Sequence, residues 1–227
     1  MRSEPPTSDA RPELVLFDVG GTLVLIDPER FNAFTAGWDL AAVPPDQLVD
    51  AHFQAMSDYS YRLADGERLG FRWWVEHFFA LAGLALPSGL VDAFRGGRGM
   101  WNRPIPGARE TVLDLRERGY RVAVVSNSDG TVDEALDIAG FGNLFELVID
   151  STDVGVSKPD PAIFDRALDE LGVSPGSTWH VGDSHYHDVG GARAAGLAAA
   201  VLIDPLGLGP LGQLSVRSIV ELSELLA

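Results

Sequence analysis

The chain has 227 residues, 46% hydrophobic and 22% charged, a balance that suits a folded protein with a real core and leaves little room for extended disorder. Against 33 acidic residues stand only 17 basic ones; the net charge of -16 argues against nucleic-acid binding, and no lysine or arginine run offsets it locally. With no cysteine, disulfides, thiol nucleophiles and zinc-thiolate sites are excluded, and no apolar stretch reaches the roughly 18 residues of a membrane span.

Residues 1–12 are polar and proline-containing, which predicts a flexible tail and not a signal peptide, so the cytoplasm is the expected compartment. Glu13 to Asp18 reads ELVLFD, a short apolar run that ends in a carboxylate and enters Gly20-Gly21-Thr22, as a buried strand entering a tight turn does. From there to Arg103 the character changes. Strand-like runs are few, helical spacing prevails, and aromatics (Phe31, Phe34, Trp38, Phe53, Trp73, Trp74, Phe78, Phe79) abound, which predicts a helical insertion over residues 25–103.

After Pro104-Ile105-Pro106-Gly107 helices and strands alternate. Ala108 to Gly119 reads as helix, Arg121 to Ser126 as strand, Val132 to Ala139 as helix and Leu147 to Asp150 as strand. Asp160 then caps a helix from Pro161 to Leu171, Thr178 to Val181 is a strand, Gly190 to Gly196 a small-residue helix, Leu197 to Ile203 a strand and Ser218 to Leu226 a terminal helix. Such alternation predicts an α/β protein, a Rossmann-like parallel sheet core (13–24 and 104–227) flanked by helices. Asp18, Ser126, Asp150-Ser151 and Asp183 all fall just after strands, and sites in open parallel sheets form at those C-terminal ends. The acidic chain repels anions, so a phosphate site here would need a cation.

Taken together, FDVGGTL (Phe17 to Leu23), VVSNSDG (Val124 to Gly130), SKPDP (Ser157 to Pro161) and HVGDSHYHD (His180 to Asp188) resemble the ordered motifs of the haloacid dehalogenase superfamily. The resemblance implies that Asp18 is a nucleophile forming an acyl phosphate, which splits one hard hydrolysis into two easier displacements. It implies that Ser126, Thr22 and the Asn127 backbone bind the phosphoryl group, and that Lys158 neutralises both nucleophile and transferring group. Lys158 is the only lysine in the chain. Asp18, the Gly20 carbonyl, Asp183 and Asp188 would hold Mg2+, which prefers hard oxygen ligands. Residues 25–103 resemble the helical cap this family inserts between its first two motifs. The aromatic residues there are read first as cap core; Arg62, Arg68, Arg72, His52 and His77 are the polar candidates for recognition. A small phosphorylated metabolite is the implied partner, with the protein a monomer or homodimer.

One departure matters. Family phosphatases carry a second aspartate where this chain has Gly20, and that residue protonates the leaving oxygen and later activates water. Relatives lacking it include haloacid dehalogenases, which need no metal and lack a counterpart of Asp183, and phosphonoacetaldehyde hydrolases, whose cap lysine is missing here; phosphosugar mutases require the absent acid. A phosphatase is therefore the expected activity, with a catalytically silent metabolite-binding protein as the alternative. Asp27, His185 and His187 are the residues that offer a substitute acid.

Overall fold

Residues 11–96 and 99–227 are described by the computed structural model, so the expected tail lies outside the described residues apart from Arg11 and Pro12. Arg11 is held, its Nε donating to Tyr120 Oη at 2.7 Å. Strand β1 (Leu14–Phe17) leads through a turn into β2 (Val24–Ile26), and four helices follow: α1 (Pro28–Ala36), α2 (Pro45–Ala64), α3 (Phe71–Leu81) and α4 (Leu90–Gly96). β3 (Trp101–Pro104) then returns antiparallel to β2. The remainder runs α5 (Ala108–Glu117), β4 (Arg121–Ser126), α6 (Val132–Ile138), β5 (Val148–Asp150), α7 (Ser151–Val154), α8 (Ala162–Leu171), β6 (Thr178–Gly182), α9 (Gly191–Ala194), β7 (Ala199–Ile203), β8 (Ser215–Val216) and α10 (Leu222–Leu225).

Six strands form one sheet in the order β5-β4-β1-β6-β7-β8, with every pairing parallel. The period of two along each strand divides its apolar residues between two layers. Val15, Phe17, Val122, Val124 and Val181 pack with α5, α6 and α10 through Val112, Leu115, Leu136 and Leu222. Leu14, Leu16, Ala123 and Val125 pack on the opposite face against Ile163, Phe164 and Leu168 of α8. Both faces of the sheet are covered, as an all-parallel sheet requires. The helical segment has an apolar cluster of its own, centred on Phe31, Trp74, Phe78, Phe79 and Phe94.

The elements differ from the expected ones where local chemistry is subtle. The β2–β3 ribbon, which pairs Val24–Ile26 with Trp101–Pro104, is too short to show as a strand pattern. The small-residue helix is a four-residue α9, preceded by a π-helical turn over His185–Gly190 that Ser184 starts by accepting from His187 N–H at 3.1 Å. The terminal helix is a 3₁₀ turn (Ile219–Glu221) running into α10. Asp160 does accept from Ala162 N–H, at 3.0 Å, in the first turn of α8. No helix among the described residues is long and apolar enough to cross a membrane.

Candidate active site

Asp18 is the first residue after β1, Ser126 ends β4 and Asp183 follows β6; because β4, β1 and β6 are neighbours, these residues meet at one crevice beyond the strands' C-terminal ends. Lys158 comes from the loop before α8. Asn127 clamps that loop at two points, its Nδ2 donating to Lys158 O at 2.9 Å and its Oδ1 accepting from Lys158 N–H at 2.8 Å. The Asn127 side chain thus positions Lys158 in addition to any role of its backbone.

Lys158 Nζ donates to Asp18 Oδ1 at 2.6 Å and to Asp188 Oδ1 at 2.5 Å, and Ser126 Oγ donates to the same Asp18 oxygen at 3.1 Å. Asp18 Oδ2 is left without a hydrogen-bond donor among the described residues. Asp188 is fixed from three sides: Lys158, His180 Nε2 at 3.0 Å, and the Ser184 N–H on its other oxygen at 2.9 Å. Glycine makes this convergence possible at two places. A Cβ on Gly182 would lie 2.2 Å from Asp188 Cγ, and one on Gly21, whose φ is +73°, would lie 2.0 Å from Asp183 Oδ2.

Asp18, Asp183 and Asp188 each offer an oxygen within 4.8 Å of the others, and all are buried. Burial pushes the Asp18 carboxyl up despite the Lys158 ammonium, and pushes Asp183 up to about 6 despite His52. Burial would also raise Asp188, but Lys158 and His180 hold it below the usual carboxylate range. For Lys158 burial works against the ammonium, and Asp18 and Asp188 outweigh it, so its pKa lies above the ordinary value. The one buried ammonium thus contacts two of three clustered buried carboxylates, a deficit of positive charge in a set of hard oxygen donors. Such a donor set fits a divalent cation.

Over this cluster lies a cavity of about 530 Å³. Asp18, Gly20, Ser126, Asn127, Lys158, Asp183 and Asp188 line it. Thr22 does not. It is drawn into the turn that wraps the Val19 carbonyl, which accepts the N–H groups of Thr22, Leu23 and Val24, and its hydroxyl is buried without a hydrogen-bond partner among the described residues. A phosphate-binding role for its side chain is accordingly not supported by the structure.

Of the five recognition candidates in the helical segment, His52 alone lines the cavity among the described residues. Its Nε2 lies 2.8 Å from Asp183 Oδ2, and its ring packs edge-on against Phe53 and Trp74. The others turn to surface partners: Arg62 to Glu67 at 2.8 Å, Arg72 to Glu76 and Asp92 at 3.0 Å each, and His77 to Asp58 at 2.8 Å, while Arg68 is exposed. Among the three candidate acids, Asp27 is spent capping α1, accepting from the N–H groups of Glu29 and Arg30 at 2.8 and 3.0 Å. His185 stacks on Tyr61 away from the cavity; His187 lines it, but burial pushes its pKa down to about 4.

Sequence reading missed His180 and the far wall of the cavity. A histidine in the apolar run of β6 was the available signal for His180, which is fully buried against Phe164 at a ring distance of 4.9 Å. The far wall consists of Met56, Tyr59, Phe71, Trp74, Met100 and Trp101, so Trp74 belongs both to the helical core and to the cavity.

A parallel sheet sets an aspartate after its first strand, and a lysine joins that aspartate to a buried carboxylate cluster. Residues 12–196 match the haloacid dehalogenase-like hydrolase family, and the chain belongs to it. It is 39% identical over 106 residues to haloacid dehalogenase-like hydrolase domain-containing protein 3 of Bos taurus, covering 47% of this chain and 42% of that one. It therefore spans less than half the length of that relative. Glyceraldehyde 3-phosphate phosphatase of Methanopyrus kandleri is 28% identical over 188 residues, 81% of this chain and 80% of the relative. Among solved structures, a haloacid dehalogenase-family phosphatase from Thermococcus onnurineus superposes with a TM-score of 0.64 at 26% identity, covering 95% of this chain and 98% of that one. A dehalogenase with an intermediate complex superposes with a TM-score of 0.65 at 28% identity, covering 96% and 98%.

Proposed function

We propose that the chain is a magnesium-dependent hydrolase of small phosphoric monoesters that works through an aspartyl phosphate at Asp18. The observation that carries this reading is the buried Asp18–Lys158–Asp188 chain beside Asp183, open to a single cavity. Asp18, Asp183 and Asp188, with the Gly20 carbonyl, would hold the cation, which supplies positive charge to the phosphoryl oxygens when bound. Residues 25–103 serve as a cap over the site, pivoting on the β2–β3 ribbon.

In the first displacement an Asp18 oxygen forms a bond to phosphorus and the bond to the leaving oxygen breaks, the electron pair departing with that oxygen. Lys158 and the Ser126 hydroxyl, already aimed at Asp18 Oδ1, orient the nucleophile and stabilise negative charge on the phosphoryl group. A water then attacks phosphorus, releasing inorganic phosphate and restoring the Asp18 carboxylate. Gly20 brings no proton to either step.

The second reading is dehalogenation, favoured by Gly20 and by the dehalogenase likeness; Asp183 weighs against it, since hydrolysis of a carbon–halogen bond makes no use of a third buried carboxylate. Release of inorganic phosphate from a panel of phosphorylated metabolites should require magnesium and be abolished in Asp18→Asn. Halide release from 2-haloacids in chelator-treated buffer, with no phosphate release, would overturn the proposal. Binding of phosphate mimics without turnover of any monoester would instead identify a silent binding protein.

A further inference from the structure

We infer that the site selects an apolar, planar group as the part of the substrate that leaves, and that Phe71, Trp101 and Met56 determine this selectivity. The inference rests on the phosphatase reading for which end of the ligand meets Asp18, and on the cavity alone for the nature of the other end. The cavity of about 530 Å³ falls within the span of about 300 to 1,000 Å³ usual for small-molecule sites, far more than a phosphoryl group fills. Its polar groups are concentrated on the sheet side. Across from them stand rings: Phe71 and Trp74 stack at 5.3 Å with planes 10° apart, and Trp101 lies 6.0 Å from Trp74 at 44°. Phe71, at the start of α3, packs on Trp74 and Trp101 on one side and remains 43% exposed at the cavity.

Charge points the same way. Among the described residues lining the cavity, Lys158 is the only lysine or arginine, and both of its partners are carboxylates. A second anionic group on the substrate would meet no lysine or arginine among the described residues that line the aromatic wall and would face Asp129 at the rim. Of the described arginines of the helical segment, Arg62 lies 4.9 Å over the ring of Trp73, and Arg30 is tied to the backbone carbonyl of Gly99 at 3.3 Å without itself lining the cavity. Burial of a flat ring against the wall that Phe71, Trp101 and Met56 help to form removes apolar area from water and leaves no polar group of the ligand unpaired.

Unreactive phosphonates separate this inference from the proposed activity. Calorimetric titration of the full chain in magnesium buffer should show benzylphosphonate binding at least about tenfold tighter than methylphosphonate, the factor a well-fitted apolar group yields in such a pocket. Phosphonoacetate should bind no better than methylphosphonate. Phe71→Ala should weaken benzylphosphonate severalfold more than methylphosphonate, and Met56→Arg should reverse the preference by creating affinity for phosphonoacetate. Because Phe71 is exposed, its loss leaves the folded core intact, as an unchanged melting temperature would verify. Equal binding of benzyl- and methylphosphonate, tightest binding of phosphonoacetate, or no binding of any of the three overturns the inference. Preference for benzylphosphonate with no hydrolysis of phenyl phosphate would sink the phosphatase reading and leave the pocket assignment standing.

Discussion

On the sheet side of the cavity, Asp18, Lys158, Asp188 and His180 form one unbroken run of buried polar contacts, whereas the facing wall is built mainly of aromatic and thioether side chains. Buried charges hold one another in a single arrangement, because each would be expensive to leave unpaired. Apolar contacts carry no such directional demand. The contrast assigns chemistry to the sheet, where positions must be exact to fractions of an ångström, and selectivity to the helices, where a wall can change its shape without disturbing the reacting atoms. The seam between the two is narrow: α2 reaches the loop after β6 through His52–Asp183 at 2.8 Å, Ser60–Ser184 at 2.9 Å, and rings of Tyr59 and Tyr61 against His187 and His185.

The sharpest way to break this contrast is to alter the sheet side while preserving charge. Lys158→Arg keeps the cation but exchanges a compact ammonium for a planar fork, which cannot sit 2.6 Å from Asp18 and 2.5 Å from Asp188 at once in a fully buried pocket. Turnover of an aryl phosphate should fall by about 10²- to 10³-fold, the loss typical for a misplaced electrostatic donor. Near-normal steady-state kinetics would remove Lys158 from the mechanism.

Asp183→Asn should come next. It removes a negative charge from the three-carboxylate cluster while keeping the shape, and magnesium affinity should weaken by about a hundredfold, taken as the upper end of what ligand-orienting changes produce. Titration followed by tryptophan fluorescence reads this directly. Undiminished affinity would cancel the metal assignment. At the seam, His52→Phe keeps the ring packing against Phe53 and Trp74 but frees Asp183 to rotate, and magnesium affinity should drop by about tenfold. A rise in affinity would show instead that His52 competes with the cation for that carboxylate.

How legible each wall is in the sequence follows from the same physics. Asp18, Ser126 and Asp183 stand directly after apolar runs, so strand geometry alone brings them to one end of the sheet, and the strings around them are long enough to resemble a family. The aromatic wall has no such marker. Helical spacing shows that Phe71, Trp74 and Phe78 share a face, but whether a neighbour or a cavity covers that face depends on how α3 leans against the ribbon carrying Trp101. His52 looked no different from Arg62 or His77 because what separates them is partner choice: Glu67 lies five residues from Arg62, whereas Asp183 lies 131 residues from His52. Thr22 turns away from the cavity for a related reason, since a turn's hydrogen bonds to Val19 decide which side chains face inward.

Gly20 offers the smallest effect and the one that best joins the two walls. A Cβ there would meet Trp101 Cδ1 at 3.5 Å and Nε1 at 3.8 Å, ordinary contacts, and the backbone is not left-handed, so a side chain can begin at this position without strain. The missing acid would therefore occupy the border between the catalytic sheet and the aromatic wall, next to the oxygen that leaves. Without it the departing oxygen carries its charge away unprotonated, and the rate of aspartyl-phosphate formation depends on how well the leaving group bears that charge. In the native chain, measured where chemistry limits turnover, rates should fall steeply as leaving-group pKa rises from aryl to alkyl phosphates. Gly20→Asp should leave aryl substrates almost unchanged, since these need no proton, and raise alkyl substrates by about a few-fold, flattening the slope; the gain stays below the usual hundredfold or more of a positioned acid because the surrounding site is not built to orient it. A flat series in the native protein would mean that a proton already reaches the leaving oxygen, and His52 and His187, the two histidines lining the cavity, would then be the side chains to substitute.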